Sequence, residues 1–246
     1  MEKARKYFEK ASLIQAKILE NELAKIEKVG ILFAETIEKG GSLFAFGASH
    51  AGMIAEEMFY RTGGLALVNP LFSPTLMLNT RPATLTSQME RLEGFGTTLL
   101  DTSPAKAGDV ILVHSVSGRN PVALDIAIRA KEKGLTVVVI TNLSYSKQVT
   151  SRHSTGKRLF ELGDIIIDNH GDYEDASIAI PGLSQNMGPT SSVAGCLIAN
   201  MVVVATVEAL VAKGVEPPKF HSANVDMGDE FNARIFEKYK DRIHYM

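Results

Sequence analysis

The chain has 246 residues, a formal net charge of −2 and a single cysteine, Cys196. That length suits one large α/β domain with helical additions, and the absence of any basic run or zinc-ligand spacing argues against a nucleic-acid partner. One thiol excludes an internal disulfide framework and suits a reducing compartment.

The opening residues, Met1-Glu2-Lys3-Ala4-Arg5-Lys6, lead into amphipathic sequence rather than an apolar core with a cleavage site, so no signal peptide is expected. Residues 1–39 carry apolar Phe8, Leu13, Ile14, Ile18, Leu23, Ile26, Leu32, Phe33 and Ile37 at helical spacing. Two helices are expected there, broken near Val29-Gly30 and ended by Gly40-Gly41. A first strand follows at Ser42–Phe46, then the small residues Gly47-Ala48-Ser49-His50-Ala51-Gly52, then a helix over about Met53–Arg61. Leu65–Val68 is expected as a strand, Asn69–Pro82 as irregular, Leu85–Phe95 as a helix, and Gly96–Asp101 as partly extended.

The stretch Asp109–Asn142 is the most informative. Val110-Ile111-Leu112-Val113 is a short apolar, β-branched run typical of a buried strand. Apolar Val122, Leu124, Ile126, Ala127 and Ala130 follow at helical spacing, Gly134 ends that helix, and Thr136–Ile140 supplies a second strand. This is a βαβ unit with parallel strands. Between its first strand and helix lies Ser115-Val116-Ser117-Gly118-Arg119-Asn120. Loops at the carboxyl ends of parallel strands gather along one sheet edge, where a helix start offers unpaired N–H groups to an anion. Ser115 and Ser117 add hydroxyls, Gly118 allows close approach, and Asn120-Pro121 fits an N-cap followed by proline. The same residues also suit an ordinary capped helix.

Further on, Ser144–Lys157 is polar, Leu162–Asp168 contains another buried strand, and Ile178–Ile180 is expected as an edge strand. Asn186–Ser192 is a third small, polar loop, opening a long apolar helix over about Ser192–Lys213. Its longest apolar run, Met201–Val207, is too short to cross a bilayer, so no membrane partner is expected and the protein is placed in the cytoplasm. Residues 214–246 are a polar tail with a helix over Glu230–Tyr239.

These motifs together resemble the sugar isomerase (SIS) family of phosphosugar-binding domains. Three places carry the resemblance: Gly47-Ala48-Ser49-His50, Ser115-Val116-Ser117-Gly118, and the helix opened by Gly188-Pro189-Thr190-Ser191-Ser192. Neither of the first two loops contains the G-x-G-x-x-G fingerprint of the competing dinucleotide fold. The resemblance implies a three-layer α-β-α sandwich with a five-stranded parallel, flavodoxin-like sheet. It divides the chain into a helical segment (1–34), the phosphosugar-binding domain (35–214) and a tail (215–246). It further implies a homo-oligomer, dimer or tetramer, with sites at subunit interfaces, and a sugar phosphate held by Gly47, Ser49, Ser115, Ser117, Gly118, Asn120, Thr190 and Ser191. No cofactor or metal is implied.

Within the family the first motif, with Ala55-Glu56-Glu57, is similar to phosphoheptose isomerases, and Glu57 matches their catalytic glutamate by position. Arg119-Asn120-Pro121 is instead similar to the N-acetylmuramic acid 6-phosphate etherases. Asn200 stands about where the isomerases have a catalytic histidine.

Aldose–ketose isomerisation through an enediol needs a carboxylate or imidazole base beside two neighbouring carbons, and donors for the developing oxyanion. Glu57 is the candidate base, with Glu56 turned about 100° away on the helix. His50 is the candidate partner, and its alternative role is a helix cap. His114, in an apolar strand, is expected to be a satisfied core histidine. Asp168–Asp175 is expected to be a solvated acidic turn. His221 and Glu230 in the tail are candidates to replace the missing histidine. Two functions stay open: an enzyme acting on a sugar phosphate, isomerase or etherase-like lyase, and a non-catalytic phosphosugar sensor or scaffold.

Overall fold

A computed structural model describes residues 2–246. Its centre is a five-stranded, wholly parallel sheet in the order β2-β1-β3-β4-β5, formed by β1 (Leu43–Gly47), β2 (Val68–Pro70), β3 (Val110–His114), β4 (Thr136–Thr141) and β5 (Ile165–Asp168). Both faces of such a sheet are covered, which is why its strands are nearly continuous apolar runs in the sequence. Alternate residues point to opposite layers. Leu43, Ala45, Val110, Leu112, Val138 and Ile140 share a core with the helices α1 (Glu2–Glu38), α2 (Met53–Met58) and α7 (Ser191–Ala212). Phe44, Phe46, Ile111, Val113, Val137 and Val139 share the opposite core with α4 (Phe95–Asp101) and α5 (Pro121–Glu132), and a short helix α6 (Leu143–Ser146) follows β4. The result is the three-layer α-β-α sandwich that the sequence implies.

Five expectations are corrected. Residues 2–38 form one uninterrupted helix, not two. Gly30 does not break it, because it lies where α1 crosses α7: a Cβ there would come within 2.5 Å of the Ala205 side chain and 2.9 Å of its backbone carbonyl carbon. Glycine permits that close approach, and the packing it allows outweighs its poor helix propensity. Residues 85–95 divide into a short helix α3 (Leu85–Met89) and the start of α4, with Gly94 at φ 88° between them. Gly96–Asp101 is therefore helical rather than extended. The carboxylate of Asp125, on α5, accepts the N–H groups of Gly94 (2.8 Å) and Gly96 (3.2 Å), so a cap from a distant segment starts α4.

The second strand forms at Val68–Pro70, displaced from the expected Leu65–Val68, and Leu65–Leu67 are buried outside the sheet. Ile178 makes only an isolated antiparallel bridge to Met187, not an edge strand.

The 22-residue α7 is, by length and composition, apolar enough to cross a membrane. Here Ala194, Ile198, Ala199, Val202, Val203 and Leu210 are buried in the core, while Val193, Val204 and Val211 are exposed. The tail folds back through Lys219, bridged to Leu65, and ends in the helix α8 (Gly228–Tyr239) followed by residues 240–246. Tyr245 donates to the Ala66 carbonyl at 2.9 Å, anchoring that end beside β2.

Candidate functional site

In an open parallel sheet, ligands bind beyond the carboxyl ends of the strands where the strand order reverses. Here that point lies between β1 and β3. A cavity opens there, lined by Ser49, His50 and Ala51 after β1, by His114, Ser115 and Ser117 at the end of β3, and by Glu90, Asn120, Tyr145 and Asp175. The chain brings these groups together from five separate segments.

Backbone geometry shapes both loops. A Cβ on Gly47 would come within 2.2 Å of the Ala51 carbonyl oxygen, so only glycine lets the 3-10 turn Ser49–Gly52 fold back over the end of β1. Gly118 has φ 59°, the left-handed region, and its α-carbon backs onto Ser146 and Leu159. Ser49 is itself left-handed (φ 54°), with its hydroxyl donating to Thr86 Oγ1 at 3.1 Å. Among the described residues, the side-chain hydroxyls of Ser115 and Ser117 have no hydrogen-bond partner in the chain.

Asn120 occupies the N-cap position of α5, but its side chain makes no cap bond. Instead its Nδ2 donates to Glu90 Oε2 at 2.7 Å, its Oδ1 accepts from Arg152 Nη1 at 2.8 Å, and Glu90's carbonyl takes the Val122 N–H at 3.2 Å. The rim of the cavity is thus tied to two segments that the sequence reading left out. Burial, followed by the nearby Arg119 and Arg91 cations, lowers the pKa of Arg152. Burial raises that of Tyr145.

The third small loop contributes differently. The backbone N–H groups of Thr190 and Ser191 donate to Asp175 Oδ1 at 3.0 and 2.9 Å, and the Ser191 hydroxyl to Asp175 Oδ2 at 2.5 Å. The start of α7 is therefore capped by a carboxylate of the chain, and it is Asp175, not Thr190 or Ser191, that lines the cavity. Asp175 belongs to the turn expected to be merely solvated. Its left-handed φ of 53° and its contact fifteen residues along the chain leave no local sequence signal.

Glu57 does not line this cavity. It lies on the outer side of α2, paired with Arg61 and accepting from Asn200 Nδ2 at 2.8 Å. Asn200, at the expected histidine position, thus touches the candidate base directly. Burial, then the charge of Glu57, raises the Cys196 thiol.

The tail candidates also lie elsewhere. His221 stacks on Phe231 with ring centroids 3.6 Å apart and has Nε2 2.9 Å from Lys219 Nζ, in a second hollow with Tyr60, Arg61 and Asn232. Glu230 is exposed at the start of α8. Among the described residues there is no cluster of three metal-ligating side chains.

Known structures share this architecture. The chain superimposes on the phosphoheptose isomerase of Neisseria gonorrhoeae with a TM-score of 0.53 and 15% identity, covering 87% of this chain and 98% of that one. For the phosphoheptose isomerase of Francisella tularensis the TM-score is 0.56 at 16% identity, covering 84% and 97%. At such identities the likeness is one of fold. Sequence relatives are far nearer: the UPF0309 protein of Shouchella clausii is 52% identical over 240 residues, 98% of each chain. That of Streptomyces griseus is 39% identical over 243 residues, covering 98% of this chain and 97% of its own. The family model for the SIS domain matches residues 6–142, more than half the chain, including both loops of the cavity. The chain therefore belongs to the SIS domain family, among the proteins called UPF0309.

Proposed function

We propose that the cavity between β1 and β3 binds a phosphosugar and that the protein is an aldose–ketose sugar-phosphate isomerase. The observation that carries the reading is the convergence of the Ser115–Gly118 loop and the Ser49–Ala51 turn on one cavity at the sheet's reversal point. The phosphate sits against the two unpartnered serine hydroxyls and the loop amides, and the sugar extends toward His50. The names of the neighbouring folds, phosphoheptose isomerases, support the substrate class.

Proton transfer falls to Glu57 and His50. Because Glu57 lies outside the cavity, bonded to the exposed Asn200, it reaches a sugar only in a site completed by a second copy of the chain. A homo-oligomer is thus part of the proposal. Leu23 and Val204 leave an apolar groove between α1 and α7 for the contact.

Incubation with fructose 6-phosphate and a seven-carbon ketose phosphate in heavy water tests this directly. The expected result is deuterium at C1 or C2. Tight binding without exchange would instead favour a non-catalytic sensor, a reading supported by the pairing of Glu57 with Arg61 and Asn200, which occupies the candidate base.

A further inference from the structure

The cavity has one deeply buried group that neither the sequence resemblance nor the reading above employs. His114 ends β3, is 1% exposed, and points toward the α7 layer, the same side as Val110 and Leu112. Its ring lies beside Gly195 of α7, where a Cβ would stand 3.6 Å from His114 Cε1 and 2.6 Å from Ile54 Cδ1. Nδ1 is 3.0 Å from the Ala51 carbonyl oxygen. A carbonyl can only accept, so Nδ1 must carry the proton, and in the neutral ring Nε2 is then a bare acceptor. That Nε2 is buried and has no hydrogen-bond partner. A buried acceptor without a donor is costly, and such atoms in native proteins usually mark a missing ligand or water.

The cavity is chemically polarised by this arrangement. Its α5 side offers donors, the Ser115 and Ser117 hydroxyls, while Asp175 and His114 line it on the α7 side, with His114 Nε2 buried in that wall. A phosphate dianion suits the first side and is repelled by the second; sugar hydroxyls suit the second. We propose that His114 is a substrate-contacting residue whose Nε2 accepts a hydrogen bond from a hydroxyl of the bound aldose or ketose phosphate, fixing which end of the sugar enters. The inference rests on the phosphosugar reading of the same cavity. It corrects the expectation of a satisfied core histidine, since only one of the two ring nitrogens is satisfied.

The test uses the full-length protein labelled with 15N-histidine. In the ligand-free protein His114 should show a protonated Nδ1 and an unprotonated Nε2, and saturation with fructose 6-phosphate should shift Nε2 in the direction of hydrogen-bond formation. Inorganic phosphate should leave it unmoved. His114→Asn places an amide N–H near the position of Nδ1 and deletes Nε2. It should bind fructose 6-phosphate about tenfold more weakly than wild type and bind inorganic phosphate equally well. His114→Gln, whose amide oxygen reaches toward the Nε2 position, should recover part of the loss. Sugar-phosphate binding that leaves Nε2 unmoved and unaffected by His114→Asn would overturn the inference alone, assigning Nε2 to an ordered water. Failure of the wild type to bind six- and seven-carbon sugar phosphates would overturn the phosphosugar reading, and this inference with it.

Discussion

Two regions of the molecule carry the residues from which chemistry is expected, and they are built in opposite ways. At the β1–β3 edge, residues from five segments line one cavity; the half-exposed Ser115 and Ser117 hydroxyls bond to no other group among the described residues, and the buried His114 Nε2 has no partner. Between α2 and α7, outside that cavity, one oxygen of Glu57, Oε1, takes both Arg61 and Asn200. Hydroxyls without a partner in the chain are free to meet a ligand, whereas a carboxylate already paired with an arginine must share or give up that contact first. The comparison teaches that the proposed binding and proton-transfer roles fall on separate regions, so each can be broken on its own.

The largest effect is expected at the outer face. Glu57→Gln should lower deuterium incorporation by about 10²- to 10⁴-fold, the usual contribution of a general base, while sugar-phosphate affinity stays near that of wild type. Exchange that survives the substitution would transfer the proton-transfer role to the cavity itself.

Next comes the packing that holds the outer face in place. Gly30→Ala forces a methyl group into the backbone of α7 at Ala205, an overpacking that should cost about 1–3 kcal/mol in chemical denaturation. An unchanged midpoint would mean that α1 and α7 can separate without penalty, and the crossing would lose its meaning. At the cavity edge the corresponding change is smaller and more local. Ser117→Ala removes one donor to a charged oxygen, and should weaken sugar-phosphate binding by about 1.5 kcal/mol, roughly tenfold. The measurement is the ligand-dependent rise in melting temperature, and an unaltered rise would take the Ser-x-Ser-Gly loop out of the site.

Much of this was legible in the chain. The strands β1, β3, β4 and β5 announce themselves because a parallel sheet buried on both faces demands uninterrupted Val, Ile, Leu and Phe. The positions of Gly47 and Gly118 follow from what glycine alone permits. What remained hidden depends on contacts between distant segments. Glu90 meets Asn120 across thirty residues, and Asp125 starts a helix twenty-nine residues upstream. Asp175 caps α7 from a turn whose own sequence suggests only solvent. Gly30 was misread for the same reason: a local rule favours a break, and the neighbouring helix overrides it. His114 was half legible, since an apolar strand predicts burial but says nothing about which ring nitrogen finds a partner.

The smallest effect sharpens that last point through pH. Burial holds the pKa of His114 below its ordinary value, opposed in part by the Ala51 carbonyl and the charge of Asp175. In the unfolded chain the same imidazole titrates near its ordinary value, about 6.5. Below that pH the unfolded state binds a proton that the native state refuses, so stability is lost as pH falls and is intact above about 7. One such group contributes a slope of up to about 1.4 kcal/mol per pH unit, until the depressed native pKa is reached. His244, also lowered by burial, adds a slope of the same sign, and carboxylates contribute as well. The difference between wild type and His114→Asn isolates the one residue, because the variant keeps a donor for Ala51 and has no proton to gain. Denaturation between pH 7 and pH 5 should show the variant losing less stability than wild type over that interval. Parallel curves would mean that His114 charges freely in the native protein, and an imidazolium there would have no lone pair on Nε2 to offer a sugar.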